Sequence, residues 1–188
     1  MMKTFNKDNL RVMIAADRDA MGKAAAADIR EAMLELLARK ERINMIFAAA
    51  LEYSPLNRKQ QKSVLDIVTK ELLTPKGLRS LSPKSMGYNP NYVGPQVERD
   101  YAYHQGTAWP WLGGFYMEAY LRIHKMSGLS FVERQLIGFE EEMTTHCIGS
   151  IPELYDGNPP FRGRGAVAFA MNVAEILRIL DVLKEYDI

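Results

Sequence analysis

Apolar side chains are spaced along this chain in two ways, and the change between them falls near residue 50. Before it, residues 11–16 (Arg-Val-Met-Ile-Ala-Ala) form a short apolar run of the kind that makes a buried parallel strand. Asp17 and Asp19 offer caps for a helix over residues 20–40, where Met21, Ala25, Ile29, Ala32 or Met33, and Leu36 recur at helical spacing. Residues 43–49 (Ile-Asn-Met-Ile-Phe-Ala-Ala) are again apolar and of strand length. Strand, helix and strand predict a minimal βαβ unit. One helix cannot cover both faces of two parallel strands, so the unit needs neighbours.

From residue 51 onward the pattern turns helical, and no further strand is expected. Asn57 with Gln60 three residues on is a capping box, and Val64, Leu65, Val68 and Leu72 stripe a helix ending near Leu73. Residues 74–95 are rich in turn formers and read as a long irregular segment. A helix then starts at Trp109-Pro110 and runs to about His124, with proline tolerated in its first turn. Gly128 turns the chain, and Ser130 with Glu133 predicts the capped start of a helix to about Thr145. A second irregular segment spans residues 149–165. A helix over residues 166–186 closes the chain, apolar on more than one side and so expected to be buried between neighbours. Four helices joined by alternately long and short connections predict helical hairpins in a mainly α fold, and no internal repeat is found. The expected division is a βαβ fragment over residues 1–50 and a helical fragment over 51–188.

Composition narrows the partners more than the fold. Twenty-four Lys and Arg against twenty-three Asp and Glu leave a formal charge of +1, so no charged field points to nucleic acid or an anionic membrane. Cys147 is the single cysteine and the histidines number three, which excludes a disulfide within the chain and a cysteine-based metal cluster. No metal and no cofactor is expected. The chain shows neither a secretion signal nor an uncharged apolar stretch of membrane length, and a cytoplasmic location is expected.

Two polar knots carry the candidate chemistry. In the first, Arg99, Asp100, His104, Gln105, Thr107, Trp109 and Trp111 crowd a short segment. Aromatic rings stack on the apolar faces of sugars while amide, imidazole and charged groups meet hydroxyls, a combination suited to small-molecule recognition. The alternative makes Trp109 and Trp111 core anchors and His104 a bonding group at a helix start. In the second knot, Glu153 follows Pro152, and Gly157 permits a turn after Asp156. A carboxylate held on a rigid loop suits a general base for water, its neighbour Asp156 a loop-organising acceptor, and a plain surface turn is the alternative. Glycoside hydrolysis needs a second carboxylate, for which Asp100 is the nearest candidate. His124 reads as a helix C-terminal cap, His146-Cys147 as structural, and Asp17 and Asp19 as caps rather than ligands, since no glycine-rich loop follows.

Four runs carry a resemblance: Tyr53-Ser-Pro-Leu-Asn57, Glu71-Leu-Leu-Thr-Pro-Lys-Gly-Leu-Arg-Ser-Leu-Ser-Pro83, Arg99-Asp-Tyr-Ala-Tyr-His-Gln-Gly-Thr-Ala-Trp-Pro-Trp111, and His146-Cys-Ile-Gly-Ser-Ile-Pro-Glu-Leu-Tyr-Asp-Gly-Asn-Pro-Pro160. Through them residues 51–184 resemble the carboxyl-terminal part of the microbial glycogen-debranching enzymes, the amylo-alpha-1,6-glucosidase family. The resemblance implies part of an (α/α)6 toroid around a saccharide pocket. It implies Glu153 as the base that activates water for inverting hydrolysis of an α-1,6-linked glucose stub. His104, Gln105, Trp109 and Trp111 then belong to the pocket, Arg99 and Asp100 support it, and Asp156 is a further substrate-binding candidate. The family's general acid belongs to an earlier part of the toroid, and no counterpart is found here, so the chain alone is expected to be inactive. Residues 10–50, through Arg11-Val-Met-Ile-Ala-Ala-Asp-Arg-Asp and Asn44-Met-Ile-Phe-Ala-Ala-Ala50, resemble the start of the glucosamine-6-phosphate deaminase family. The two resemblances overlap at residues 44–50 and together suggest a fusion. An α-glucan or oligosaccharide is the expected ligand, and exposed helix faces are expected to favour a homo-oligomer.

Overall fold

A computed structural model describes residues 3–7, 10–39 and 46–186. The chain opens with two strands, β1 (Lys3–Lys7) and β2 (Leu10–Ile14), paired antiparallel with Lys3 opposite Ile14 and Lys7 opposite Leu10. Helix α1 (Arg18–Arg39) follows, its first turn capped as expected by the Asp17 carboxylate, which accepts from the Ala20 N–H at 2.8 Å. Tyr53 lies over Gly22 and donates to Asp19, and the Arg30 guanidinium donates to the Pro55 carbonyl at 3.1 Å, so α1 is tied to the segment that follows.

Among the described residues the expected βαβ unit is not formed. The first strand pairs with an antiparallel neighbour, Lys3–Lys7, whose mostly polar sequence shows no strand period. The expected second strand is instead the short helix α2 (Ile46–Ala50), while residues 43–45 lie outside the described residues. A short apolar run buried on all sides reads alike as strand or helix, because neither period is visible in it. Ile46, Ala48, Ala49 and Ala50 are all buried, and the small alanines let α2 pack closely on its neighbours.

The helical core is built around one central helix. Helix α3 (Arg58–Glu71) starts at the predicted capping box, with Asn57 accepting from the Gln60 N–H and Gln60 accepting from the Asn57 N–H, each at 3.0 Å. A short helix α4 (Gln96–Ala102), not expected from the sequence, precedes α5 (Pro110–His124), which begins with Pro110 in its first turn as predicted. The packing of α5 extends to α2, α3 and the two later helices, α6 (Leu129–Thr145) and α7 (Ala170–Lys184). Leu65, Tyr116, Leu121, Val132 and Ile179 are essentially inaccessible within this core. Truncating such a side chain, Leu65→Ala for example, costs about 2–5 kcal/mol by lost transfer energy and cavity formation.

Two helix starts differ from expectation. Ser130 does not cap α6, because a 3-10 turn over Lys125–Gly128 feeds directly into Leu129 with no side-chain cap. Helix α7 begins at Ala170 rather than 166, because the Phe169 N–H bonds the Ile151 carbonyl and holds the preceding residues against the second knot. Ile176 and Ile179 of α7 are buried, but Leu177 and Leu180 are exposed, so the breadth of its apolar surface exceeds what these helices cover.

A five-stranded antiparallel sheet of very short strands crosses the helical part: β3 (Leu73–Thr74), β4 (Gly77–Arg79), β5 (Ala108–Trp109), β6 (Leu154–Tyr155) and β7 (Gly163–Arg164), adjacent in that order. The expectation of no strand beyond residue 51 is thereby corrected. Strands of two or three residues are too short to display alternation. The sheet nevertheless decides the layout, because Ala108 pairs with Tyr155 and so joins the first polar knot to the second.

Candidate functional site

The first knot is held from within by Thr107, which is fully buried. Its hydroxyl donates to the Tyr103 carbonyl at 2.8 Å and accepts from the Trp109 indole N–H at 3.1 Å, closing the turn between α4 and β5. Ser80, just after β4, binds the same turn from outside: its N–H donates to the Thr107 carbonyl at 2.8 Å and its hydroxyl accepts from the Gly106 N–H at 2.9 Å. The second knot closes on the first through backbone proximity. A Cβ on Gly157 would collide with the Gly106 carbonyl oxygen. Gly157 is therefore required by that close approach, not by the turn its position suggests.

Glu153 sits where these loops meet. Its N–H donates to the Ala166 carbonyl at 2.9 Å, and the Ala166 N–H returns a bond to its Oε2, also at 2.9 Å. The Tyr103 hydroxyl donates a short hydrogen bond to its Oε1. Gly165, at φ +71°, lies directly against the carboxylate, where any side chain would collide with it. Burial, and then the bond to Glu153, push the Tyr103 phenol well above its ordinary ionisation range, so it stays a protonated donor. Each carboxylate oxygen keeps acceptor capacity beyond the one bond it receives, enough to take a proton from water.

Behind Glu153 lies Asn172 of α7, fully buried. Its amide donates to the carbonyls of Pro152 at 2.6 Å and Glu153 at 2.8 Å, and its oxygen accepts from the Trp111 N–H at 3.1 Å. That N–H is in the first turn of α5, where no partner exists within the helix. One side chain thus fastens the start of α5 to the backbone that carries Glu153.

The structure places the predicted residues unevenly around this centre. Tyr103 meets Trp109 edge-on at 4.8 Å, and the exposed His104 ring lies parallel to Trp109 at 5.8 Å, so Glu153, Tyr103, Trp109 and His104 form one connected array. Trp109 itself is only 5% exposed and acts as the base of the array. Gln105 is partly buried, and its carbonyl accepts from the Asn89 N–H at 2.6 Å. Trp111 points its ring elsewhere, stacked on Phe47 at 5.9 Å and edge-on to Phe115, in the contact between α2 and α5. Arg99 and Asp100 are exposed on α4, with the Arg99 guanidinium 6.0 Å from the Tyr92 ring. Asp156 is buried and organises its loop, as its position suggests. It takes a two-pronged bond from Arg164, closest at 2.8 Å, and one from the Tyr92 N–H at 2.9 Å.

Sequence reasoning missed Tyr103, Asn172, Tyr92 and Arg164. Asn172 had a readable signal, an amide set between Phe169 and Ile176 on an apolar helix, since a buried amide must find partners. Tyr103 had none, because a tyrosine in a polar loop carries no period. His124 ends α5 as expected, with its ring stacked on Tyr120 at 4.2 Å. Cys147 is fully buried, and burial raises its thiol, which makes it a poor nucleophile. Among the described residues no group of three or more His, Cys, Asp or Glu is placed to hold a metal, and no helix is long and apolar enough to cross a membrane.

Comparison with known proteins agrees with the motif-bearing part of the chain. The family described as Amylo-alpha-1,6-glucosidase matches residues 3–178. A glycogen debranching enzyme of Saccharomyces cerevisiae is 33% identical over 66 residues, a stretch that is 32% of this chain and 4% of that protein. The family match also runs through residues 10–50, the stretch expected to come from the glucosamine-6-phosphate deaminase family.

Proposed function

The chain belongs to the amylo-alpha-1,6-glucosidase family, and on that premise we propose that it supplies the general-base side of a glycoside hydrolase site for α-1,6-linked glucose. The observation that carries this reading is the Glu153 carboxylate, held at both oxygens by Tyr103 and the Ala166 N–H and braced from behind by Asn172. In the proposed reaction Glu153 takes a proton from water as the water oxygen bonds the anomeric carbon. The bond to the leaving oxygen breaks on the opposite face, and that oxygen receives a proton from a second carboxyl group. Inverting chemistry sets the two carboxyl groups about 6.5–9.5 Å apart to admit the water. We assign that acid to a part of an (α/α)6 toroid outside this chain, of which α3 to α7 form a section. Natural branch stubs then go uncleaved by the chain alone. His104 and Gln105, with Arg99 and Asp100 beyond them, are the polar groups assigned to the saccharide, and Trp109 is the ring that supports that wall, while Trp111 acts through its backbone N–H on Asn172.

A substrate that needs no acid tests the assignment. Fluoride leaves α-glucosyl fluoride without being protonated, so the base alone suffices to turn it over to β-glucose. The chain is expected to release fluoride above the buffer rate, with a loss of about a hundredfold or more in Glu153→Gln. Equal release by the variant, or none by the parent, rejects Glu153 as the base.

A second reading is self-association. Val167, Met171, Leu177 and Leu180, on and just before α7, are 44–63% exposed, an apolar surface suited to a second copy of the chain. Light scattering that shows a monomer at high concentration rejects it.

A further inference from the structure

Beside the candidate site, residues 89–93 and α4 enclose an open groove of about 460 Å³ lined by Asn89, Asn91, Val93, Val97, Glu98 and Tyr101. We propose that this groove is a second binding site, one that takes a neutral gluco-oligosaccharide with Tyr101 stacked on a sugar ring and Asn91 bonding its hydroxyls. The inference rests on the saccharide reading of the neighbouring site.

Three observations carry it. First, the lining has the right chemistry. Tyr101, Val93 and Val97 are 57%, 44% and 80% exposed, which leaves a ring and two aliphatic surfaces uncovered. The carboxamides of Asn89 and Asn91 make no bond within the protein among the described residues. Aromatic faces with free amides fit sugars, and a lining with one carboxylate and no cation repels phosphate.

Second, the groove wall is anchored on both polar knots. The Asn89 N–H bonds the Gln105 carbonyl at 2.6 Å, the Pro90 carbonyl accepts from the Gly157 N–H at 2.7 Å, and the Tyr92 N–H bonds Asp156 at 2.9 Å. These three bonds hold the wall in place before any ligand arrives, so little ordering is left for binding to bear. Third, the groove wall is linked to Glu153 through two tyrosines. Tyr92 lies in the segment that forms the wall, and its ring meets Tyr103, the donor to Glu153, at 5.8 Å.

Calorimetry of the full chain with maltose through maltohexaose tests this. Affinity is expected to rise with length. Tyr101→Ala should weaken maltohexaose binding about tenfold, while Tyr101→Phe, which keeps the ring, stays within about twofold of the parent. An unchanged affinity in Tyr101→Ala, no binding of maltohexaose by the parent, or glucose 6-phosphate bound more tightly than maltose each overturns the groove. The two proposals fail separately. A chain that releases fluoride from α-glucosyl fluoride but ignores Tyr101→Ala loses only the groove. One that binds maltohexaose through Tyr101 but releases no fluoride loses only the catalytic assignment.

Discussion

Replacing Asn172 with aspartate separates hydrogen bonding from packing at the brace behind Glu153. The two side chains have nearly the same volume, so Asn172→Asp leaves no cavity, and the bond accepted from the Trp111 N–H survives. What disappears are the two N–H donors to the carbonyls of Pro152 and Glu153, bonds of 2.6 and 2.8 Å at a fully buried position. Each buried acceptor left without a donor costs about 1–3 kcal/mol, and a carboxylate set against two carbonyls adds a penalty of its own. The expected loss at pH 7 is about 3–5 kcal/mol, which for a chain of this length lowers Tm by roughly 10 °C. The introduced carboxyl is more easily protonated folded than unfolded, since burial and the two carbonyls disfavour its charge. The folded variant therefore binds more protons, its stability falls as pH rises, and its deficit against the parent should shrink between pH 7 and pH 5. Urea unfolding of parent and variant at both values measures this. A variant within 1 kcal/mol of the parent at pH 7, or a deficit that grows on acidification, refutes the view that Asn172 acts through its bonds.

Other substitutions probe the same loops. Gly157→Ala sets a methyl group against the Gly106 carbonyl, and overpacking of that kind costs about 1–3 kcal/mol, readable as a lower Tm; a Tm equal to the parent's would contradict the backbone contact. Tyr103→Phe frees one oxygen of Glu153, so turnover of α-glucosyl fluoride should fall about tenfold with little change in KM, whereas a loss confined to KM would make Tyr103 a substrate contact. Burial raises the phenols of Tyr103, Tyr116 (pushed up to about 12) and Tyr155. Such groups keep their protons longer folded than unfolded, so the chain should lose stability as pH rises above about 10, and less steeply in Tyr103→Phe. Urea midpoints between pH 9 and 11 give the slopes, and a parent no steeper than the variant would count against a raised Tyr103.

What the sequence by itself determined is local. The Asn57 and Gln60 capping box, Pro110 in the first turn of α5 and the stripe of α3 act within a few residues, and each is found where the spacing sets it. The two knots around residues 104–111 and 151–157 were likewise visible as concentrations of polar and aromatic groups, and the family motifs in them singled out Glu153. Tertiary structure decided the rest. Residues 46–50 became helix because a buried run of small side chains takes whichever form its neighbours allow, and residues 10–14 found an antiparallel partner that no period announced. The strands that join the knots are two or three residues long, so only their pairing defines them. Tyr103 lies fifty residues from Glu153, and Asn172 sixty-one from Trp111. Hydrogen bonds across such separations leave no spacing to read, because they exist only once α5, α7 and the small sheet have packed.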